Sequence, residues 1–127
     1  ALVAPLLGGA SSLRPAHVAA LPSPKLRRVL DYVSAHLDAP LTLRKRAELV
    51  ELDVYRFVRA FKQSTGLSPH RYVLDARITR AKELLRAREV SITEIALRTG
   101  FSTPSHVSVT FRRIARTTPR AYRDGTP

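Results

Sequence analysis

Residues 91–111 read SITEIALRTGFSTPSHVSVTF and carry a helix start, a tight turn and a second helix start in one short run. Ser91 followed three residues later by Glu94 has the form of a capping box, in which two side chains satisfy orphan amides at a helix N-terminus. Ile92, Ile95, Ala96 and Thr99 recur at helical spacing and predict one buried face. Gly100 stands where a helix ends, free to take the left-handed conformation, and Phe101 is expected to pack back onto the core. Ser102 or Thr103 then caps a second helix with Pro104 in its first turn, and Val107, Phe111 and Ile114 form its buried side. Two short helices across a glycine turn, the second polar and basic outside, have the form of a helix-turn-helix that offers its second helix to a DNA groove. An ordinary helical hairpin in a small bundle is the alternative that this stretch, taken alone, leaves open.

Composition narrows the choice. The chain has 127 residues, room for one domain of about 100 residues and a tail, which can fold without disulfide or metal. It has no cysteine, which excludes a disulfide frame and a thiolate metal site and fits a reducing, cytoplasmic setting. Lys and Arg number 22 against 10 Asp and Glu, a formal net charge of +12, which points to a polyanionic partner, nucleic acid before an acidic membrane surface. The charge is spread along helical segments among acids, unlike a disordered basic tail. No apolar run is long enough to cross a bilayer, and the apolar start ALVAPLLGGASS lacks a basic leader and is broken by Pro5, unlike a secretion signal. The absence of an initial Met suggests a processed product or a piece of something longer.

Taken in order, residues 1–24 are apolar, then small and proline-rich, and are expected to be a linker or the tail of a missing N-terminal domain. From Pro24 the spacing of Leu26, Val29, Leu30, Val33 and Leu37 predicts a helix, stopped by Asp38 to Pro40. A short second helix from about Thr42 uses Leu43, Ala47 and Val50. Asp53 is read as the N-cap of a third helix, which buries Phe57, Ala60 and Phe61 and closes at Gly66. Ser68 and Pro69 open a fourth helix running to Arg88, with Tyr72, Val73, Ala76, Leu84 and Leu85 apolar. The two helices of 91–111 follow, and Thr118 and Pro119 open a last short one around Tyr122. No segment alternates with strand period, so the fold class is all-α.

The chain also matches itself. Leu43 aligns with Ile92, Ala47 with Ala96, Leu52 with Phe101 and Asp53 with Ser102. After one additional residue in the second copy, Phe57 aligns with Val107, Phe61 with Phe111, Lys62 with Arg112, Pro69 with Pro119 and Tyr72 with Tyr122. Two copies of one helical unit therefore flank the fourth helix, whose roughly 18 residues span roughly 27 Å. Successive major-groove segments on one side of B-DNA lie about 34 Å apart. With the width of the flanking helices added, a rigid spacer of that length can set two readers in adjacent segments.

The runs RAFKQSTGLSPHRYVLDARITRAKELL, SITEIALRTGFSTPSH and TTPRAYR resemble the DNA-binding domain of AraC/XylS-type bacterial transcription regulators over residues 25–123. The resemblance implies seven helices, forming two helix-turn-helix subdomains (25–67 and 89–123) joined by a long linking helix (68–88), with 124–127 as a tail. It implies a sequence-specific transcription regulator, typically an activator that touches RNA polymerase, and an attached effector-sensing or dimerising domain on the N-terminal side. Carried over residue by residue, it assigns base reading to Tyr55, Arg56, Val58 and Arg59 in the first unit and to Ser105, His106, Ser108 and Val109 in the second. Lys62 and Arg112 are placed near the phosphate backbone. The residues themselves support part of this: Arg59 lies away from Phe57 and Phe61 and can fork onto guanine O6 and N7, and Thr42 and Thr103 at helix N-termini can donate to phosphates.

Four residues depart from the family pattern. Arg46 stands at a usually apolar position, so it is expected to snorkel outward or to pair with Glu48 or Glu51. Glu51 fills the turn position that is Gly100 in the second copy, Val109 replaces a frequent second arginine, and Arg116 replaces the glycine matched by Gly66. Specificity is therefore expected mainly from the third helix, with the second unit adding affinity. His17, His36, His70 and His106 are scattered without metal-ligand spacing, and no phosphate loop or paired-carboxylate motif is present, which speaks against an enzyme or a cofactor. The alternative to a specific reader is a basic helical domain that binds nucleic acid without sequence preference. A membrane partner would need a wide exposed apolar face that these helices commit to their core.

Overall fold

The structure, a computed structural model, describes residues 19–125. Among them are seven helices and no strand: α1 (Ser23–Ala35), α2 (Leu43–Leu49), α3 (Val54–Thr65), α4 (Pro69–Ala87), α5 (Ile92–Thr99), α6 (Pro104–Ala115) and α7 (Pro119–Asp124). Most of the expected linker, including the apolar start, lies outside the described residues. Packing begins ahead of Lys25. Leu21 is buried in the first core, its amide donating to Ser64 Oγ at 2.8 Å.

Two cores form, and α4 enters both. The first gathers Val29 and Val33 of α1, Ala47 and Val50, Phe57, Ala60 and Phe61 of α3, and Val73 of α4. The second gathers Ile78, Ala81, Leu84 and Leu85 of α4 with Ile95, Ala96, Phe101, Val107 and Phe111. Ile78 and Ala81 were not among the apolar positions read for this helix, yet they are the residues that turn it toward the second core. α4 is capped by Ser68 Oγ, which accepts from the Arg71 amide at 3.2 Å, with Pro69 in the first turn. Its 19 residues span about 28 Å.

The internal repeat is visible in burial. Residues 54–69 and 104–119 follow the same order of buried, half-buried and exposed side chains, position for position. Tyr72 meets the Phe61 ring edge-on at 5.5 Å, as Tyr122 meets Phe111 at 5.6 Å. The turn is repeated too: the Leu52 amide donates to the Ala47 carbonyl at 3.1 Å and the Phe101 amide to Ala96 at 3.0 Å. The sequence alignment needs one correction. Asp53 Oδ1 accepts from the Arg56 amide at 2.8 Å, and Thr103 Oγ1 accepts from the His106 amide at 3.0 Å. Asp53 therefore corresponds to Thr103, and the additional residue is Ser102, ahead of the cap. A cap keeps its register to the helix it starts, so the insertion has to fall before it.

Half of the expected capping box forms. Ser91 Oγ accepts from the Glu94 amide at 3.1 Å, but the Glu94 carboxylate turns to Arg98 Nε, 3.0 Å away. Arg46 neither snorkels nor pairs with an acid. It is 4% exposed, and its guanidinium donates to the carbonyls of Thr42 (Nε, 3.3 Å), Pro69 (Nη1, 3.2 Å) and Leu41 (Nη2, 2.8 Å). Loss of solvent, and then the charge of Arg77, lower its pKa from the ordinary arginine value. Three carbonyl oxygens, spread to match a planar fork of donors, take the place of a counter-ion. Glu51, Arg88 and Arg116 all adopt left-handed backbone, with φ of 60°, 65° and 66°.

Candidate nucleic-acid interface

The two units present the same helix outward, by the same local logic. In α3, Phe57, Ala60 and Phe61 point into the core, which leaves Tyr55, Arg56, Arg59 and Lys62 exposed and Val58 half-buried at the margin. In α6, Val107, Thr110 and Phe111 are buried, leaving Ser105, His106, Val109 and Arg112 exposed and Ser108 half-buried. Each expected base-reading residue of the first unit thus lies on one face of α3, and each of the second on one face of α6. Tyr55 and Val109 are 63% and 60% exposed, so both side chains are open to a partner on these faces.

Within the first face neighbouring side chains contact one another. Arg59 Nη1 donates to the Tyr55 hydroxyl at 3.2 Å, and its guanidinium lies 5.4 Å from the centre of the Tyr55 ring. Tyr55, expected to touch a thymine methyl or a sugar, thus also lies beside the Arg59 guanidinium. Arg56 Nε stands 3.7 Å from Asp53 Oδ2 in an exposed pair, which water screens strongly. The second face has no such contact of ring and guanidinium, because Ser105 and Val109 occupy the positions of Tyr55 and Arg59. His106 is oriented instead by the edge of Phe101, with ring centres 5.0 Å apart, and its Nδ1 lies 3.4 Å from Ser102 Oγ.

The expected phosphate contacts sit on the flanks. Lys62 and Arg112 are exposed on the last turns of α3 and α6, without a carboxylate partner among the described residues. Thr42 Oγ1 accepts from the Lys45 amide at 3.1 Å, so its hydroxyl proton is left to donate outward, beside a helix N-terminus that favours anions. Thr103 does the same at the start of α6. Ser91 is the counterpart of Thr42 in the second unit, capping α5 as Thr42 caps α2. Pairing Leu43 with Ile92 in the repeat already placed Ser91 there. Arg44 and Lys45 are exposed beside Thr42, whereas the matching positions of α5 are Thr93 and Glu94, so the first unit carries the more cationic flank.

No group of three or more His, Asp or Glu among the described residues is placed to hold a metal ion, and no helix among them is long and apolar enough to cross a membrane. Residues 46–125 match the helix-turn-helix domain family. Over 101 residues the chain is 38% identical to the HTH-type transcriptional activator RhaS of Escherichia coli (strain SE11), covering 80% of this chain and 36% of that protein. The chain belongs to the AraC/XylS family of DNA-binding domains. Solved structures agree. An AraC-type DNA-binding domain-containing transcriptional regulator from Chromobacterium violaceum is 35% identical, with a TM-score of 0.74 over 80% of this chain and 91% of that one. The DNA-binding domain of AdpA, a global transcriptional factor solved in complex with a target DNA, is 29% identical, with a TM-score of 0.75 over 79% of this chain and 90% of that one. The AraC/XylS family is one of transcription regulators rather than enzymes. This chain spans about a third of the length of the curated relatives it matches, 36% of each.

Proposed function

We propose that this AraC/XylS-type domain reads a two-part site on double-stranded DNA, with α3 in one major-groove segment and α6 in the next. The observation that carries the proposal is the duplicated face: two helices in the same burial register, each outward, joined by one helix of about 28 Å. The similarity in fold to the AdpA domain solved with DNA supports the same docking here. In this reading Tyr55, Arg56, Val58 and Arg59 face bases in the first segment and Ser105, His106, Ser108 and Val109 in the second. Thr42, Lys62, Thr103 and Arg112 hold phosphates.

The two readers divide the work. Arg59, beside Tyr55, can make the bidentate contact to guanine that carries the largest single-residue discrimination. The second face offers short hydroxyls, one imidazole and the Val109 methyls, suited to thymine methyls and to shape. The name of the RhaS relatives and the share of their length that this chain covers support a bacterial transcription activator acting in the cytoplasm. In it a further domain senses an effector or dimerises, and RNA polymerase is the protein partner.

Selection of bound sequences from random DNA tests the proposal. It should return two half-sites about one helical turn apart, the one under α3 carrying more information. Failure to enrich any sequence, or a preference over bulk DNA well short of about a thousandfold, would leave only non-specific binding by a basic surface.

A further inference from the structure

The two units touch at a second place besides α4. Their helices pack within each unit and on α4, but the loop joining α1 to α2 reaches across. The Leu37 carbonyl lies so near the turn of the second unit that a Cβ built on Gly100 would stand 2.1 Å from it. Arg77 closes this contact. Its Nε donates to the same Leu37 carbonyl at 3.2 Å and its Nη2 to the Ala39 carbonyl at 3.0 Å. Arg46, from α2, holds two further carbonyls of the loop, Leu41 and Thr42, and bonds the Pro69 carbonyl at the start of α4. Two guanidiniums with no carboxylate partner among the described residues therefore anchor four carbonyls of one loop.

Arg77 also sits within one turn of the place where α4 changes allegiance: Val73 belongs to the first core, while Leu74 packs against the second and Ile78 is buried in it. A bend between them swings one reader against the other. With half of α4 as lever arm, about 14 Å, a bend of about 15° displaces a reader by about 3.5 Å, close to one base-pair step. We propose that Arg77 is a positioning residue that fixes the separation of the two recognition helices, by tying the α1–α2 loop against Gly100 across this junction. The inference rests on the two-reader function proposed above and adds to it a determinant of half-site spacing that touches no DNA.

The test uses the whole chain and the DNA selected from random sequence, remade with its half-sites at the selected separation and at one and two base pairs more or less. A further DNA carries the α3 half-site alone. Binding is followed by fluorescence anisotropy for the wild type, Arg77→Met, which keeps the aliphatic stem, and Arg77→Ala, with circular dichroism as a check on folding. The wild type should favour the selected spacing over its neighbours by about tenfold or more, the penalty of roughly one mismatched base pair. Both variants should keep half-site affinity within about threefold while spacing preference falls below about threefold. A folded variant that keeps the sharp preference overturns the inference, and so does unfolding of both variants, which would make Arg77 a requirement of the fold instead. A wild type that prefers no sequence at all would instead overturn the two-reader function, so the two failures are distinguishable.

Discussion

Gly66 and Gly100 end α3 and α5 in the same left-handed conformation, with φ of 82° and 81°, but alanine at the two positions should have different consequences. At Gly66 an added Cβ meets nothing within 4 Å, so the substitution costs only the left-handed strain, about 1 kcal/mol. Arg116, its counterpart in the second unit, already carries a full side chain at φ 66°. At Gly100 the same Cβ lies 2.1 Å from the Leu37 carbonyl and 2.9 Å from the Arg77 guanidinium, where ordinary contact begins at 3.4 Å. The carbonyl must retreat by more than about 1 Å while Arg77 holds it, an overpacking that costs about 1–3 kcal/mol. With the backbone strain included, Gly100→Ala should lose about 2–4 kcal/mol against about 1 for Gly66→Ala. Urea unfolding followed by circular dichroism measures both. In thermal melts, at about 4–8 °C per kcal/mol, Gly100→Ala should fall by about 10 °C or more. Equal losses at the two glycines would show that the loop is not pressed against the second unit, and the close approach of the two units would be wrong.

Arg59→Ala should weaken DNA binding by about 1–3 kcal/mol and relax preference at one base pair, leaving the melting temperature unchanged because the side chain is exposed; an unaltered preference across single-base operator variants would show that another residue reads that position. Glu51→Gly is the reverse kind of change to Gly66→Ala and should raise stability by about 1 kcal/mol, left-handed strain relieved net of unfolded-state freedom, and a lower urea midpoint would contradict it. Affinity for the selected DNA should drop about a thousandfold or more between 50 and 200 mM salt if about six to ten phosphates are neutralised. A flat response in a salt titration would argue against docking of both helices along the backbone.

The features legible in the sequence are those written in spacing and caps. The period of Phe57, Ala60 and Phe61, and of Val107 and Phe111, marks which side of α3 and α6 is buried, so the outward faces follow by subtraction. Asp53, Ser68, Ser91 and Thr118 announce helix starts because a short polar side chain before an apolar run has few other uses. What could not be read lies in partners without a letter of their own. Arg46 suggested a carboxylate, since acids are the partners a sequence displays, but backbone carbonyls satisfy it, and any residue supplies those. The sequence shows Gly100 as a turn glycine, and its second role, making room for the Leu37 carbonyl, belongs to a contact between residues far apart in the chain. Ile78 and Ala81 do not stand out in the sequence because α4 faces two cores in succession, which blurs a single apolar stripe.

The same distinction explains why duplication has left unequal readers. The burial order of residues 54–69 recurs in 104–119 without exception, so packing constrains both copies alike, whereas the outward positions share little. Tyr55 and Arg59 face Ser105 and Val109 across the repeat, and Arg44 and Lys45 face Thr93 and Glu94. A residue in the core is held by its neighbours in the same copy. One on the outward face has no such neighbours, and under the proposed docking it answers only to the DNA segment it would face, which need not match the other. The strained backbone follows no such division: Glu51 departs from glycine in the first unit and Arg116 in the second. At Gly100, by contrast, the loop of the other unit occupies the space a side chain would need, so the one left-handed turn pressed between the two units is the one where glycine is required.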